Sequence, residues 1–289
     1  MRSEKTILLT GGTDGIGLAT AKRLANKQTK LVLACRDREK GEATIDMLRE
    51  RSGNENINLI DFDLSDLESV QNAAQEFLAE YPRLDVLINN AGTYSDQLYW
   101  TKQGYEWQFG VNYLGHYLLT RLLVPALCCG TDRGRVINVS SDAHRSAKID
   151  FDKLHRSTAD DYRYKGMRAY STSKLANVLF TTELARRYPQ ELTANALHPG
   201  VVATRLANKG AKDTVKFIWN LYKPFALKPK RGANTSVYLA LSPEVREVSG
   251  RYFDKSQCLR KPSPKARDQH LAAKLWKYSE EAVEKYLIN

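Results

Sequence analysis

The 289 residues are 42% apolar and carry 44 Lys and Arg against 33 Asp and Glu, a formal charge of +11. No run approaches the ~18 apolar residues of a membrane span, and the basic charge comes without an RNA-binding signature, a zinc finger or an aromatic-rich basic ribbon. The five histidines lack metal-ligand spacing, so neither a metal site nor a nucleic-acid partner is expected.

Glycine, proline and charge are spread along the chain without a linker or a repeat, which predicts one domain over 1–289. The first apolar run begins at Thr6, which argues against a signal peptide ahead of it. The four cysteines (Cys35, Cys128, Cys129 and Cys258) form no C-x-x-C pair, and two are adjacent, which suits a reduced, cytoplasmic protein.

In chain order, β-rich runs stand at 6–10 (TILLT), 31–35 (LVLAC), 57–63 (INLIDFD), 85–90 (DVLINN), 135–141 (RVINVSS) and 193–199 (TANALHP). They are near-continuously apolar, as strands covered on both faces are. Between them, apolar positions three to four apart predict helices over 15–26, 38–51 and 66–80, with longer ones at about 104–128 and 168–188 and a last one at about 264–287. Ser65 or Asp66 can cap the third of these. Strand and helix alternate throughout, which predicts an α/β fold: a doubly wound parallel sheet with helices on both faces. Ligands of such sheets bind beyond the carboxyl ends of the strands, where strand order switches.

The stretch TGGTDGIG (10–17) follows the first strand and opens the first helix. Its glycines Gly11, Gly15 and Gly17 let the backbone approach a phosphate, and the helix start supplies free N–H groups and a positive dipole end. The alternative is a tight turn with no ligand. At the end of the second strand, in LACRDRE, Arg36 follows Cys35. An arginine there accommodates the 2′-phosphate of NADP, where an acidic residue would take the ribose hydroxyl of NAD. Asp37 either orients Arg36 or repels the phosphate, while Arg38 and Lys40 add positive potential. NADP(H) is therefore the expected cofactor.

In YSTSK, Tyr170 and Lys174 stand four apart, on one face of a helix. An ammonium beside a phenol stabilises the phenolate and brings it towards acid/base use at neutral pH. With the glycine turn, NNAG (89–92), NVSS (138–141) and PGVVAT (199–204) in this order, the chain resembles the short-chain dehydrogenase/reductase family over about residues 5–255. Through ACRD, NVSSDAH and SGRYFD…PSPKARD…AAKLW it resembles the retinol-dehydrogenase-like branch.

The resemblance implies a Rossmann-type fold and a hydride transfer between nicotinamide and an alcohol or carbonyl compound. It makes Tyr170 the general acid/base and Ser141 the partner of the reacting oxygen. Lys174 would lower the Tyr170 pKa and bind the nicotinamide ribose. Asn112, in FGVNYLG, would hold a water in a proton relay to Lys174. For the cofactor it implies Gly11, Thr13, Asp14, Gly15, Ile16 and Gly17 at the phosphates, and Asp63 and Leu64 at the adenine. Asn90 and Gly92 would line the groove, and Val202 and Thr204 would meet the carboxamide and phosphate end. Many NADP-preferring members have a basic residue inside the glycine turn, where this chain has Thr13 and Asp14, so Arg36 must carry most of the preference.

Ser141 and Tyr170 lie 29 residues apart, which predicts an added loop near the pocket mouth. His144, close behind Ser141, reads as a loop histidine or a substrate contact. The stretch 208–232 interleaves Phe217, Ile218, Trp219, Leu221, Tyr222 and Phe225 with lysines. It follows the sixth strand, where the family places its substrate lid (about 205–232 here). It reads as that lid over a lipophilic substrate, as a core-facing helix, or as an interfacial membrane helix. The expected function is NADP(H)-dependent oxidation or reduction of a lipophilic small molecule. The alternative is an NADP-binding sensor or scaffold with little turnover. The family's pairing through its long fourth and fifth helices leaves a homo-oligomer open.

Overall fold

The computed structural model describes residues 4–27, 29–130, 132–159, 163–202 and 227–287. Strands β1 (Lys5–Thr10), β2 (Thr29–Cys35), β3 (Ile57–Asp61), β4 (Val86–Asn89), β5 (Gly134–Val139), β6 (Leu192–Leu197) and β7 (Arg251–Phe253) form one sheet in the order β3-β2-β1-β4-β5-β6-β7. Every neighbouring pair is parallel. The helices are α1 (Gly15–Ala25), α2 (Arg38–Ser52), α3 (Leu67–Glu80), α4 (Trp107–Phe109), α5 (Gly115–Cys128), α6 (Gly166–Arg187), α7 (Pro229–Leu241) and α8 (Gln269–Leu287). A π turn, Gly110–Leu114, joins α4 to α5.

Consecutive strand residues face opposite sides of a sheet, and here both sides are covered. Leu8, Val32 and Ala34 pack with Phe77 of α3, Leu118 of α5, Leu179 of α6 and Trp276 of α8. Ile7, Leu9, Leu31 and Leu33 pack with Leu24 of α1, Leu48 of α2 and Leu239 of α7. This is why the strands read as unbroken apolar runs. Each such leucine or isoleucine contributes ~1.5–3 kcal/mol on burial.

Aspartates start the first three helices. Asp14 caps α1, Asp37 caps α2 and Asp66, rather than Ser65, caps α3. β7 had no counterpart among the sequence-predicted strands. Its three residues are too short for a periodic signal, and it exists because Asn195, Ala196 and Leu197 of β6 pair with it.

The chain runs outward from β1 through β2 to β3, then returns so that β4 lies on the other side of β1. The switch in strand order is therefore between β1 and β4. The turns leaving these two strands open into one crevice.

Of the 208–232 stretch, residues 208–226 lie outside the described residues, with all six aromatic and aliphatic side chains named above. The remainder runs into α7, which packs along α1. The described part of the added segment before Tyr170 docks on the loop ahead of α4. Tyr105 bridges to His155, and the Tyr164 hydroxyl donates to Glu106 Oε1 at 2.7 Å. None of its described residues lines the crevice.

Candidate active site

Gly11 and Gly15 have φ of +68° and +53°, a left-handed backbone that costs residues with a Cβ. At Gly17 a Cβ would stand 1.9 Å from the Gly11 carbonyl oxygen and 2.6 Å from Asn90 Nδ2, so the first turn of α1 lies directly on the glycine turn. Asn90, leaving β4, closes the arrangement by donating from Nδ2 to the carbonyls of Thr10 (2.9 Å) and Gly11 (3.3 Å). Asp14 Oδ1 accepts from Gly15 N at 2.7 Å. The N–H groups of Ile16 and Gly17 find no acceptor among the described residues. Bare first-turn donors beside a backbone free of side chains fit a phosphate group.

A cleft of ≈ 400 Å³ opens here. Its lining includes Gly11, Thr13, Asp14, Gly15, Ile16, Gly17, Arg36, Asp63, Leu64, Asn90, Gly92, Tyr170 and Lys174. Asn112, Ser141 and Val202 are not on the lining. Val202 is buried against Gly232 and bridges to Leu227, and Thr204 lies outside the described residues. Cys35, Phe62, Thr93, Trp107, Val111, Ser140 and Pro199 also line the cleft and were not anticipated as site residues. Most of them sit at or just past a strand end, so position on the sheet was the available signal.

Asp37 caps α2, its Oδ1 accepting from Lys40 N at 3.0 Å, and it lines the cleft beside Arg36. Arg38 is engaged with Glu42 and Asp61 at 2.9 and 2.8 Å. Of the three basic residues that follow β2, Arg36, which is exposed, and Lys40, whose Nζ lies 3.4 Å from Asp14 Oδ2, line the cleft. Lys40 thus offsets the negative charge that Asp14 brings to the turn.

On the opposite wall, α6 presents Tyr170 and Lys174 one turn apart. The Lys174 ammonium is buried and donates to the Val139 carbonyl at 3.0 Å, and burial brings it down to about 8. Its Nζ lies 5.6 Å from the centre of the Tyr170 ring. Burial pushes Tyr170 up to about 12, and the neighbouring Ser141 hydroxyl opposes the rise. Ser141 itself caps the short helical turn Asp142–Ser146, its Oγ accepting from Ala143 N at 3.2 Å. The hydroxyl proton of Ser141 is therefore free to point at Tyr170.

His144 is fully buried and is not among the residues that line the cleft. It links the Ser141 carbonyl (2.8 Å from Nδ1) to the main chain of Ser263, whose N–H donates to Nε2 at 3.2 Å. Asn112 lies in the π turn. Its Oδ1 accepts from Thr93 N at 2.6 Å, and its Nδ2 donates to Thr93 O and Ser173 Oγ, both at 3.0 Å. The amide thus braces the loop after β4 against α6. At Gly92 a Cβ would sit 3.3 Å from Asn112 Oδ1 and 3.7 Å from Lys174 Nζ, which puts loop, π turn and lysine at one point. The Tyr94 ring stands edge-on to Tyr170 at 5.9 Å.

Among the described residues no group of three or more His, Cys, Asp or Glu is placed to hold a metal, and no helix is long and apolar enough to cross a membrane. The available chemistry is proton exchange at a phenol whose neighbours are a hydroxyl and an ammonium, beside an anion-binding turn.

A family profile described as short chain dehydrogenase matches residues 5–151 and 156–214. Human retinol dehydrogenase 14 is 42% identical over 296 residues, covering 96% of this chain and 86% of the human protein. A crystal structure of a putative uncharacterized protein from Mycobacterium Paratuberculosis superposes with a TM-score of 0.77 at 34% identity, over 98% of this chain and 94% of that one. A short chain dehydrogenase from Shigella flexneri, complexed with NADP, shares the fold at 24% identity and a TM-score of 0.70, over 88% of this chain and 98% of its own.

Proposed function

Because this chain belongs to the short-chain dehydrogenase family, we propose that it is an NADP(H)-dependent oxidoreductase acting on a lipophilic alcohol or its carbonyl counterpart. The observation that carries the reading is the placement of Tyr170 and Lys174 across one cleft from the glycine turn, with Ser141 next to Tyr170. When bound, the nicotinamide supplies or accepts the hydride.

The chain's residues do the rest. The turn Gly11–Gly17 and the first N–H groups of α1 hold phosphate. Arg36 and Lys40 favour a further phosphate at the adenosine ribose, and they support NADP over NAD because both line the cleft, Arg36 exposed and Lys40 set 3.4 Å from Asp14 so that it offsets the carboxylate there. Tyr170 gives its proton to a carbonyl oxygen or takes one from an alcohol, and the Ser141 hydroxyl bonds the same oxygen. A cation at Lys174 favours the phenolate over the phenol. With the Asn112 amide engaged by Thr93 and Ser173, Asn112 would contribute to a proton relay through its main-chain carbonyl.

Trp107 and Val111, which line the same cleft as Tyr170, and the name of the human relative support an apolar substrate of the retinoid, steroid or aldehyde kind. Four cysteines without a disulfide support a reducing compartment such as the cytoplasm.

The test is a panel of retinal, ketosteroids and fatty aldehydes, each run with NADPH and with NADH and followed by absorbance. Tyr170→Phe should abolish turnover and leave NADPH binding within about twofold, since general acid catalysis is lost and binding contacts are kept. Full activity of Tyr170→Phe would sink the mechanism. Tight NADPH binding with no turnover across the panel would instead favour a sensor.

A further inference from the structure

His116, in α5, takes no part in the chemistry just described, yet it is 2% exposed and touches both halves of the site. Its Nε2 lies 2.9 Å from Thr10 Oγ1, at the mouth of the glycine turn, and its Nδ1 lies 3.2 Å from the Asn112 carbonyl oxygen, in the π turn. The proton on the ring can be placed by counting donors and lone pairs.

Thr10 Oγ1 has two lone pairs and one proton. Asn90 N and Ala91 N each donate to it at 3.0 Å, and a backbone N–H can only donate, so both lone pairs are taken. A third donor at Nε2 would find no acceptor there. The Thr10 proton must therefore go either to His116 Nε2 at 2.9 Å or to the Ile88 carbonyl at 3.4 Å, and only the first choice satisfies the short contact. Nε2 is then the bare nitrogen, and Nδ1 carries the proton and donates to the Asn112 carbonyl. Only this assignment satisfies Thr10 Oγ1 and both ring nitrogens of His116 together.

We propose that His116 is a positioning residue: as the neutral Nδ1–H tautomer it ties the start of the glycine turn and the loop after β4 to the main chain of Asn112. The order of donation is Asn90 and Ala91 N–H to Thr10 Oγ1, Thr10 O–H to His116 Nε2, and His116 Nδ1–H to the Asn112 carbonyl. Its two ends serve different work. The Thr10 end sets the spacing of the two strand-end turns that form the cofactor groove. The Asn112 end fixes the π turn whose amide braces Thr93 and the Lys174 helix at Ser173. Burial, with Lys174 adding to it, disfavours a charged ring and pushes His116 down to about 3, in keeping with a neutral link. The affinity readout below rests on the nicotinamide reading of the cleft, and the tautomer readout does not.

The test uses the full chain. The imidazole 15N signals missing from His116→Gln should be those of a ring that stays neutral with the proton on Nδ1 from pH 8 to pH 5, a loss that separates them from His144, whose Nδ1 also donates to a carbonyl. A His116 ring protonated on Nε2, or charged at pH 5, would overturn the proposal.

The two conservative variants split the link. Gln can place an acceptor where Nε2 stands, and Asn a donor where Nδ1 stands. NADPH affinity read by fluorescence should then weaken about fivefold in His116→Asn, the loss of one neutral hydrogen bond, and stay within about twofold in His116→Gln. Turnover of the carbonyl substrate at saturating NADPH should show the reverse order. Equal losses in both variants, which a merely space-filling histidine would give, would overturn it. If the wild type bound neither NADPH nor NADH, the cofactor reading would fail, and the tautomer alone would decide the role of His116.

Discussion

At 4% exposure, the Lys174 ammonium has the neutral Val139 carbonyl as its hydrogen-bond partner, and burial lowers it from 10.5 to about 8. Between those values the unfolded chain holds a proton that the folded chain has lost, so folding gains stability as pH rises through this window. Below about 8 the full penalty applies, on the order of 3 kcal/mol for a shift of this size. Lys174→Met should therefore stabilise the protein by up to ~3 kcal/mol at pH 7, with the gain fading by pH 10.5, read by urea unfolding of both proteins at each pH. An unchanged midpoint at pH 7 would contradict the burial argument. For Arg36, removal of a charge-assisted contact worth ~1.5–3 kcal/mol should weaken NADPH binding about 10- to 100-fold in Arg36→Ala and leave NADH nearly untouched, read by titration. Arg36 could be picked from its place after a strand. The Lys40–Asp14 pair could not, because it joins residues 26 apart whose approach depends on how α1 and α2 are set.

For the first helix the decisive contact is backbone on backbone. A Cβ at residue 17 would meet the Gly11 carbonyl at 1.9 Å, so Gly17→Ala must push α1 off the turn. Overpacking of this kind costs about 1–3 kcal/mol. We expect a melting temperature lower by several degrees and NADPH binding weakened beyond detection, since the displaced N–H groups leave the phosphate position. Retained affinity would show that the turn tolerates a different spacing.

The glycine pattern was legible as sequence because three glycines at a strand–helix junction serve few purposes. The π turn at Gly110–Leu114 was not. A one-residue insertion barely disturbs a 3.6-residue periodicity, and what accommodates it is tertiary. Gly110 lies so close to Thr101 that a Cβ would approach Thr101 Cγ2 to 2.3 Å. The buried Glu106 carboxylate receives Gln108 N and Phe109 N at 2.9 and 2.8 Å.

Across the whole molecule, α8 closes the face made by α5 and α6. Trp276 is buried edge-on to Tyr117 at 5.1 Å, with Arg187 4.4 Å and Arg121 5.2 Å from its ring centre. Glu280 from the same helix pairs with Arg121 and accepts from the Tyr117 hydroxyl. Trp276→Ala should cost ~3–5 kcal/mol, the range for a buried aromatic removed from a packed site. Chemical denaturation with an unchanged slope would confirm that stability and not compactness was lost. A cost under about 1 kcal/mol would mean that α8 is a loose appendage. The amphipathic character of the last helix is visible as sequence. The helices it covers are not, since α8 and α5 are brought together by the path of the chain around the sheet.

What the sequence determined by itself was local or periodic in origin. Strand runs, helix periods, the glycine turn, Arg36 and the Tyr170–Lys174 pair each depend on residues within a few positions of one another. An ordered set of such motifs along the chain was enough to indicate a parallel sheet and a nucleotide-binding crevice. Tertiary structure decided what depends on approach between distant segments. It gave Asp37 to a helix cap, set Lys40 against Asp14, buried His144 and Val202 off the cleft lining, and joined Thr10 to Asn112 through His116. The physical reason is that a buried polar atom must find a partner wherever the fold brings one, and that partner is set by the packing of the sheet and its helices, not by spacing along the chain.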